Sequence, residues 1–209
     1  MADCLIVFGC GGHAKVVVEA VMASTPDREI VLLDDAEERK GESIFGITVS
    51  GGREQLDRLR NVPIALGIGN NQARSRLMRE LAGQGRTLES VIHPAASIGK
   101  SVKIGEGAFV GAGAVAIADA RIGVGAIINT GATVDHDCQI GEAAHVAPGA
   151  HLCGNVRIGE RTLVGVGSAI NPGISIAPDV IIGAGAVVVR DISSPGTYAG
   201  NPARTLRLR

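Results

Sequence analysis

Residues 122–157 read, in blocks of six, IGVGAI, INTGAT, VDHDCQ, IGEAAH, VAPGAH and LCGNVR. Each block begins with Ile, Val or Leu and carries Ala, Cys or Val at its fifth position. The same grid runs without an insertion from Ile92 to Ser193 and gives 17 hexads, of which only the one at Ala116 lacks the aliphatic first residue. A six-residue period indicates a coiled stack of short parallel strands, because each hexad supplies one strand and one corner.

The grid also assigns a direction to each side chain. The first position points inward, while glycine at the second position and small residues at the fifth let the chain turn tightly beside the aliphatic stack. Three hexads close one triangular coil of 18 residues, so the region forms between five and six coils. The sequence therefore predicts a left-handed parallel β-helix.

The first 90 residues have a different pattern, in which short apolar runs alternate with helix-like stretches. The apolar runs are residues 5–8, 30–33 and 64–68, and the helix-like stretches are residues 14–23 and 73–82. This alternation is typical of a parallel sheet with crossover helices. We expect a small Rossmann-like α/β domain over residues 1–90, followed over residues 91–209 by the β-helix domain and a C-terminal tail.

Composition limits the possible partners. The chain has 209 residues, 20 basic and 21 acidic side chains, 30 glycines and only four aromatic residues, so its core must consist of small and β-branched side chains. The balanced charge gives no reason to expect nucleic acid or a membrane surface as partner, and the apolar runs are too short for a membrane span. Four cysteines without metal-ligand spacing, and an N-terminus without a signal-peptide pattern, lead us to expect a cytoplasmic protein with reduced thiols.

A glycine-rich motif follows the first apolar run. Residues 9–14 read GCGGHA, which satisfies G-x-G-x-x-G/A, and Asp34 and Asp35 follow the next apolar run about 20 residues later. Taken alone this pattern is typical of dinucleotide binding. Only about 90 residues precede the repeats, however, so one nucleotide fits better than two. The alternative is a glycine loop that serves packing alone.

Motifs from both halves together resemble one family. They are GCGGHAKVV at 9–17, LLDD at 32–35, IGNN-x-x-R at 68–74, INTG-x-x-VDHDC at 128–138 and GNPAR at 200–204. The set resembles the sugar O-acyltransferase, sialic acid O-acetyltransferase type, within the hexapeptide-repeat acyltransferases. That group includes N-acetyltransferases that act on UDP-4-amino-4,6-dideoxy sugars and on GDP-perosamine. The resemblance spans essentially the whole chain and implies acetyl-CoA as co-substrate, a homotrimer, and no metal.

His136 is the candidate catalytic residue. It occupies the third position of its hexad, where side chains leave the inner stack, and it lies between Asp135 and Asp137. A carboxylate beside an imidazole raises its basicity and can fix which nitrogen carries the proton, which suits a general base. Gly154 lies one coil above and leaves room for a thioester carbonyl, with its N–H directed toward the oxyanion. Which aspartate orients the ring stays open, and the alternative is that His136 is only a solvated loop residue.

The resemblance implies two further sets of site residues. The substrate-binding set comprises Gly11, Gly12, His13, Asp34, Asp35, Gly67 and Asn129. The acetyl-CoA-binding set, in a groove between neighbouring β-helices of the trimer, comprises His145, Gly154, Val166 and Ala184. Cys138 stands at a fifth position, so we predict a small core residue rather than a nucleophile.

Several functions are compatible with these residues. The leading hypothesis is acetyl transfer from acetyl-CoA to the amino group of a nucleotide-activated amino sugar by direct attack. The alternatives are O-acetylation of a sugar such as sialic acid, a non-catalytic or zinc-binding hexapeptide protein, and a nucleotide-binding regulator. His136, His145 and His151 are not one coil apart, which disfavours a zinc site within one chain, although a subunit boundary could gather histidines from two chains. The sequence leaves open whether the nucleotide is UDP or GDP.

Overall fold

The N-terminal part is a small parallel sheet with two helices. The computed structural model describes residues 4–206. The sheet has the strand order β2-β1-β5, and a short antiparallel β3-β4 hairpin lies beyond β2. The elements are β1 (Cys4–Phe8), α1 (Gly12–Ser24), β2 (Glu29–Leu33), β3 (Ser43–Ile44), β4 (Ile47–Thr48), β5 (Ile64–Leu66) and α2 (Asn71–Gly83). Each predicted strand and helix is present, with ends shifted by one or two residues.

The repeats form a parallel β-helix of three flat faces, which confirms the predicted fold. The first face contains β6 (Val91–Ile92), β9 (Phe109–Val110), β12 (Ile127–Ile128), β15 (His145–Val146), β18 (Leu163–Val164) and β21 (Val180–Ile182). The second contains β7 (Ser97–Ile98), β10 (Val115–Ala116), β13 (Thr133–Val134), β16 (His151–Leu152), β19 (Ala169–Ile170) and β22 (Val187–Val188). The third contains β8 (Lys103–Ile104), β11 (Arg121–Ile122), β14 (Gln139–Ile140), β17 (Arg157–Ile158) and β20 (Ser175–Ile176). Two C-terminal strands, β23 (Gly196–Ala199) and β24 (Arg204–Thr205), extend the first face.

The inward stack follows the hexad grid. Strands pair in parallel at a spacing of 18 residues, as Thr133 does with His151. First-position residues are buried from Val110 to Val188, and the fifth positions of the same coils pack against them. Ile92 differs, with 38% of its surface exposed, because no coil lies beneath the first hexad.

The corners turn at a different position from the one we expected. Every fourth position from Gly107 to Gly185 has a positive φ, between 51° and 73°, whereas no such φ occurs at the second-position glycines of these coils. Those glycines are required by close stacking instead, since a Cβ on Gly141 would lie 2.6 Å from the Glu160 nitrogen one coil above. Glycine at the second position therefore permits coils to approach, and the left-handed fourth residue makes the turn.

The small domain packs on the outer side of the first face. Phe109 and Ile127 occupy sixth positions, which point outward, yet both are buried in a cluster with α1 and Val91. Met78 of α2 packs against Ala143 at a corner of the β-helix. The lower coils of the first face are thus covered, and its upper coils stay open. Within residues 4–206, no helix has the length and apolar character that crossing a bilayer requires.

Candidate active site

His136 lies at the corner where the second and third faces meet, in the turn between β13 and β14. Asp137 is a fourth-position residue with φ 60°, and its Oδ2 lies 2.8 Å from His136 Nδ1. Asp135 has a different role, because its Oδ1 accepts a hydrogen bond of 2.7 Å from the backbone N–H of His136. Asp137 is therefore the aspartate that orients the ring, which answers the question left open by the sequence.

The bond to Asp137 determines what His136 can do. It holds the ring proton on Nδ1, so Nε2 keeps a free lone pair. The same bond, with smaller contributions from the charges of Asp135 and Asp137, raises the pKa of His136 above its usual value. More than half of the side-chain surface is exposed (56%), so an incoming molecule can reach Nε2.

Gly154 lies directly above the imidazole, as the 18-residue spacing predicted. A Cβ at this position would lie 2.3 Å from His136 Nε2, so only glycine leaves the ring where it is. The Gly154 N–H donates to no other group of residues 4–206. The corner thus combines a hydrogen-bond acceptor with a backbone donor that is free to bind a developing oxyanion.

Two residues near this corner, Cys138 and His151, make contacts that do not involve the His136 ring. Cys138 is fully buried and its Sγ donates to the carbonyl oxygen of Cys153 at 3.1 Å. Burial raises the pKa of the Cys138 thiol, which disfavours the thiolate that a nucleophile needs. His151 is exposed on the second face, with its Nδ1 3.0 Å from Thr133 Oγ1.

A second cluster lies between the two domains, around His145. Asn129 Oδ1 accepts from the Thr130 N–H at 2.8 Å, which fixes the orientation of the Asn129 amide. Its Nδ2 then donates to His145 Nε2, at 3.0 Å. Because Nε2 is the acceptor, neutral His145 carries its proton on Nδ1 and offers that N–H as a donor. Asn129 therefore sets the tautomer of His145.

His13 approaches the same cluster from the start of α1. Its ring meets the Phe109 ring edge-on, with centroids 5.0 Å apart, and its centroid lies 6.4 Å from that of His145. Burial, together with the charge of Arg74, lowers the pKa of His13 to about 4 and that of His145 to about 3. Both imidazoles are therefore neutral at neutral pH. Within residues 4–206 the buried His13 Nε2 has no hydrogen-bond partner.

The glycine loop is open at the N-terminus of α1. Gly11 is the N-cap residue of α1, and a Cβ on Gly11 or Gly12 would meet nothing within 4 Å. Free N–H groups at a helix N-terminus suit a phosphate. Gly67 has a packing role, because a Cβ there would lie 2.0 Å from the Gly9 carbonyl oxygen, where β1 and β5 end side by side.

The two predicted nucleoside ligands, Asp34 and Asp35, both bind protein groups in this structure. Asp34 accepts from the Cys10 N–H at 2.6 Å and from the Ala36 N–H at 2.9 Å, which ties the end of β2 to the glycine loop. Asp35 pairs with Arg53 at 2.6 Å, and hydrogen bonding to Arg53 lowers the pKa of Asp35. A carboxylate has about four lone-pair sites, so each aspartate keeps acceptor capacity beyond these protein contacts.

A cavity of about 720 Å³ runs along the upper part of the first face. It is lined by three of the predicted coenzyme residues, His145, Val166 and Ala184, together with the first residues of α2. The His136 corner is opposite the first face across the triangular coil, so the aliphatic core separates His136 and Gly154 from this cavity. One chain therefore holds the two halves of the predicted site on opposite sides.

One buried residue of this region, Arg74, was not among the predicted site residues. Arg74, which closes the 68–74 motif, is 1% exposed, and its charge acts on His13 and His145. Its spacing was a usable signal, because Arg74, Leu77, Met78 and Leu81 recur at the period of one helix face. A cation on the buried face of an amphipathic helix indicates a specific set of acceptors.

A metal was not expected, and across residues 4–206 no three His, Cys, Asp or Glu side chains are grouped so that they could hold one.

Comparisons with known proteins show the family to which the chain belongs. A family model described as the PglD N-terminal domain matches residues 4–81. The UDP-N-acetylbacillosamine N-acetyltransferase of Bacillus subtilis strain 168 is 38% identical over 115 residues, which are 50% of this chain and 49% of the relative. The matched region thus spans about half the length of that curated relative.

Two solved structures match nearly the whole chain. The acetyltransferase domain of PglB from Neisseria gonorrhoeae FA1090, in complex with acetyl coenzyme A, is 41% identical with a TM-score of 0.93 and coverage of 99% of this chain and 100% of that one. PerB from Caulobacter crescentus, in complex with CoA and GDP-perosamine, is 40% identical with a TM-score of 0.90 and 97% coverage of both chains. The chain belongs to this family of PglD-type sugar N-acetyltransferases. The family membership predicted from the motifs is therefore confirmed.

Proposed function

We propose that the chain transfers the acetyl group of acetyl-CoA to the amino group of a nucleotide-activated amino sugar, with His136 as general base. The observation that carries the proposal is the geometry of His136, whose Nδ1 is fixed by Asp137 while Nε2 faces Gly154. The family relatives bound to CoA, acetyl-CoA and GDP-perosamine support the choice of both substrates.

The reaction needs no acyl-enzyme. The amine nitrogen attacks the thioester carbonyl while His136 Nε2 takes its proton, and the Gly154 N–H donates to the oxygen that becomes negative. The new C–N bond forms, the C–S bond breaks, and the protonated imidazole returns its proton to the CoA thiolate. His145, with its proton on Nδ1, adds a second donor on the cavity side.

We infer further that the chain acts as a homotrimer in which the His136 corner of one copy closes the cavity of the next. The two half-sites lie on opposite sides of the chain, so a complete site needs a second copy. The outward side chains of the second face are small and mostly uncharged, namely Ser97, Val115, Thr133, His151, Ala169 and Val187. Those of the third face are larger and include three cations, namely Lys103, Arg121, Gln139, Arg157 and Ser175. The second face is thus the one that suits burial around a threefold axis.

The activity is tested by measuring CoA release from acetyl-CoA with UDP-4-amino sugars, GDP-4-amino sugars and sialic acid as acceptors. We expect release with an amino sugar and not with sialic acid; release with sialic acid alone would replace N-acetylation by O-acetylation.

His136→Ala should lower kcat by roughly 10² or more. The matched control is His93→Ala, at the second position of the first hexad, which should retain the wild-type rate.

A further inference from the structure

Arg74 is a buried cation with every N–H donor used. A guanidinium has five N–H groups in a fixed planar fork. Nε donates to Gly125 O at 2.7 Å, Nη1 to Ile68 O and Gly69 O at 3.0 Å each, and Nη2 to Asn71 Oδ1 at 2.9 Å and Ala143 O at 2.8 Å.

These acceptors come from two domains. Gly125 and Ala143 are the fourth positions of two successive coils, and both have the positive φ of the corner turn. Ile68 and Gly69 belong to the turn before α2. One side chain therefore fixes the first turn of α2 against two coils of the β-helix, beside the coil segment that carries His145. A lysine, with three donors on one point, could not satisfy the same acceptors.

The charge of Arg74 is not neutralised by a carboxylate of residues 4–206. Burial lowers the pKa of Arg74 to about 10, so it stays protonated at neutral pH. In the protein interior, where the dielectric constant is low, the electrostatic effect of a cation on neighbouring groups is stronger than in water. Among the described parts of α1, α2 and the first face, the charged or titratable groups that act on His13 and His145 are Arg74 and, for His145, His13.

We propose that Arg74 is a positioning residue for the His13 and His145 cluster, where its fork holds α2 on the β-helix and its charge, which no carboxylate of residues 4–206 neutralises, opposes a second positive charge on a neighbouring imidazole or on the incoming amine. The part that concerns the amine rests on the proposed function. An amino sugar must lose a proton before its nitrogen can attack a thioester, and a nearby cation favours the free amine just as it favours a neutral imidazole.

The first test measures imidazole titration without any substrate. The protein has five histidines, so nitrogen-15 labelling of histidine gives five assignable titrations by NMR. We compare wild type, Arg74→Met, Arg74→Lys and the control Arg79→Met, which removes an exposed cation from the same helix. In Arg74→Met the midpoints of His13 and His145 should rise by roughly 1 pH unit, while Arg74→Lys and Arg79→Met should leave them low. Unchanged midpoints in Arg74→Met, or an equal rise in Arg79→Met, would overturn the proposal.

The second test separates charge from position in the reaction itself. Arg74→Met should move the acid limb of the kcat profile to higher pH, because the bound amine then holds its proton more firmly. Arg74→Lys keeps the charge and loses two hydrogen bonds, so it should raise KM for the nucleotide sugar and leave the limb in place. If Arg74→Met does not fold, Arg74→Lys decides, since a wild-type KM for the nucleotide sugar in that variant contradicts the positioning role. If the variants shift the His13 and His145 midpoints as expected but wild-type protein transfers no acetyl group, the proposed function is refuted and the role of Arg74 stands.

Discussion

The basicity of His136 depends on one short contact, the 2.8 Å bond from Nδ1 to Asp137. That bond is the largest cause of the raised pKa of His136, so its loss should return the pKa toward the usual value. His136 must be unprotonated to act as base, and the rate therefore rises with pH through this pKa. Asp137→Asn should move the acid limb of kcat/KM to lower pH and lower the plateau, because the base is weaker. The measurement is a kcat/KM profile between pH 5 and 9.

Asp135→Asn serves as the matched comparison. Asp135 accepts from the backbone N–H of His136 and acts on the ring only through its charge. Its removal should shift the limb less than that of Asp137. A larger shift from Asp135→Asn would mean that the ring turns toward Asp135 when substrate is bound.

Gly154 is the other residue on which the corner depends. In Gly154→Ala the new Cβ would lie 2.3 Å from His136 Nε2, so the exposed ring must rotate away. We expect kcat to fall by roughly 10²-fold, as for loss of a general base, with little change in unfolding midpoint because the ring is free to move. Gly83→Ala is the control, since a Cβ at Gly83 meets nothing within 4 Å. A wild-type kcat in Gly154→Ala would show that Nε2 is not used where it lies in this structure.

The hexad is the element that holds the β-helix together, and its first position carries most of the buried volume. Ile128 is fully buried in the aliphatic stack. Ile128→Ala should lower the free energy of unfolding by about 2–5 kcal/mol, because the packed coils cannot collapse into the space that is left. Ile117→Ala is the matched control at an exposed second position and should cost below about 1 kcal/mol. Denaturant unfolding at one fixed protein concentration checks both; equal losses would mean that the stack tolerates the cavity.

The elements also show where sequence reasoning succeeds. A strict period fixes which residues point inward and which lie one coil apart, so Val134 and Cys138 could be placed in the core, and Gly154 above His136, without a structure. The turn position was assigned wrongly, because glycine is common at the second position for a reason other than φ. Asp137 and Asn155 adopt the left-handed turn without being glycine. Asp and Asn tolerate the left-handed conformation, so the positions of the glycines alone do not reveal where the chain turns.

The sixth positions of the hexads indicate which face of the β-helix is covered. Those of the first face are mostly bulky and apolar, namely Val91, Phe109, Ile127, His145, Leu163 and Ile181. Outward apolar residues on one face indicate that something covers it, and the small domain covers the lower three. The contacts of Asp34, Asp35 and Arg74 could not be predicted in this way, because they join segments that the hexad period does not relate.

At the scale of the whole molecule, the separation of the half-sites leads to a test by mixing. His136→Ala removes the base, and Ala184→Trp fills the cavity at a residue of its lining. Each variant alone should be inactive. If neighbouring copies share each site, trimers assembled at random from equal amounts of the two variants should regain about a quarter of the wild-type activity, since half the copies supply an intact base and half an intact cavity. The measurement is the rate of CoA release by co-expressed, differently tagged chains.

The control mixture places both substitutions in one chain. A chain carrying both His136→Ala and Ala184→Trp, mixed equally with wild type, should also give about a quarter of the activity when sites are shared between copies. If instead each chain formed its own site, the two single variants would give none and the double variant with wild type would give about half. The two mixtures thus separate a shared site from a self-contained one whatever the absolute rate, because only a shared site makes their activities equal.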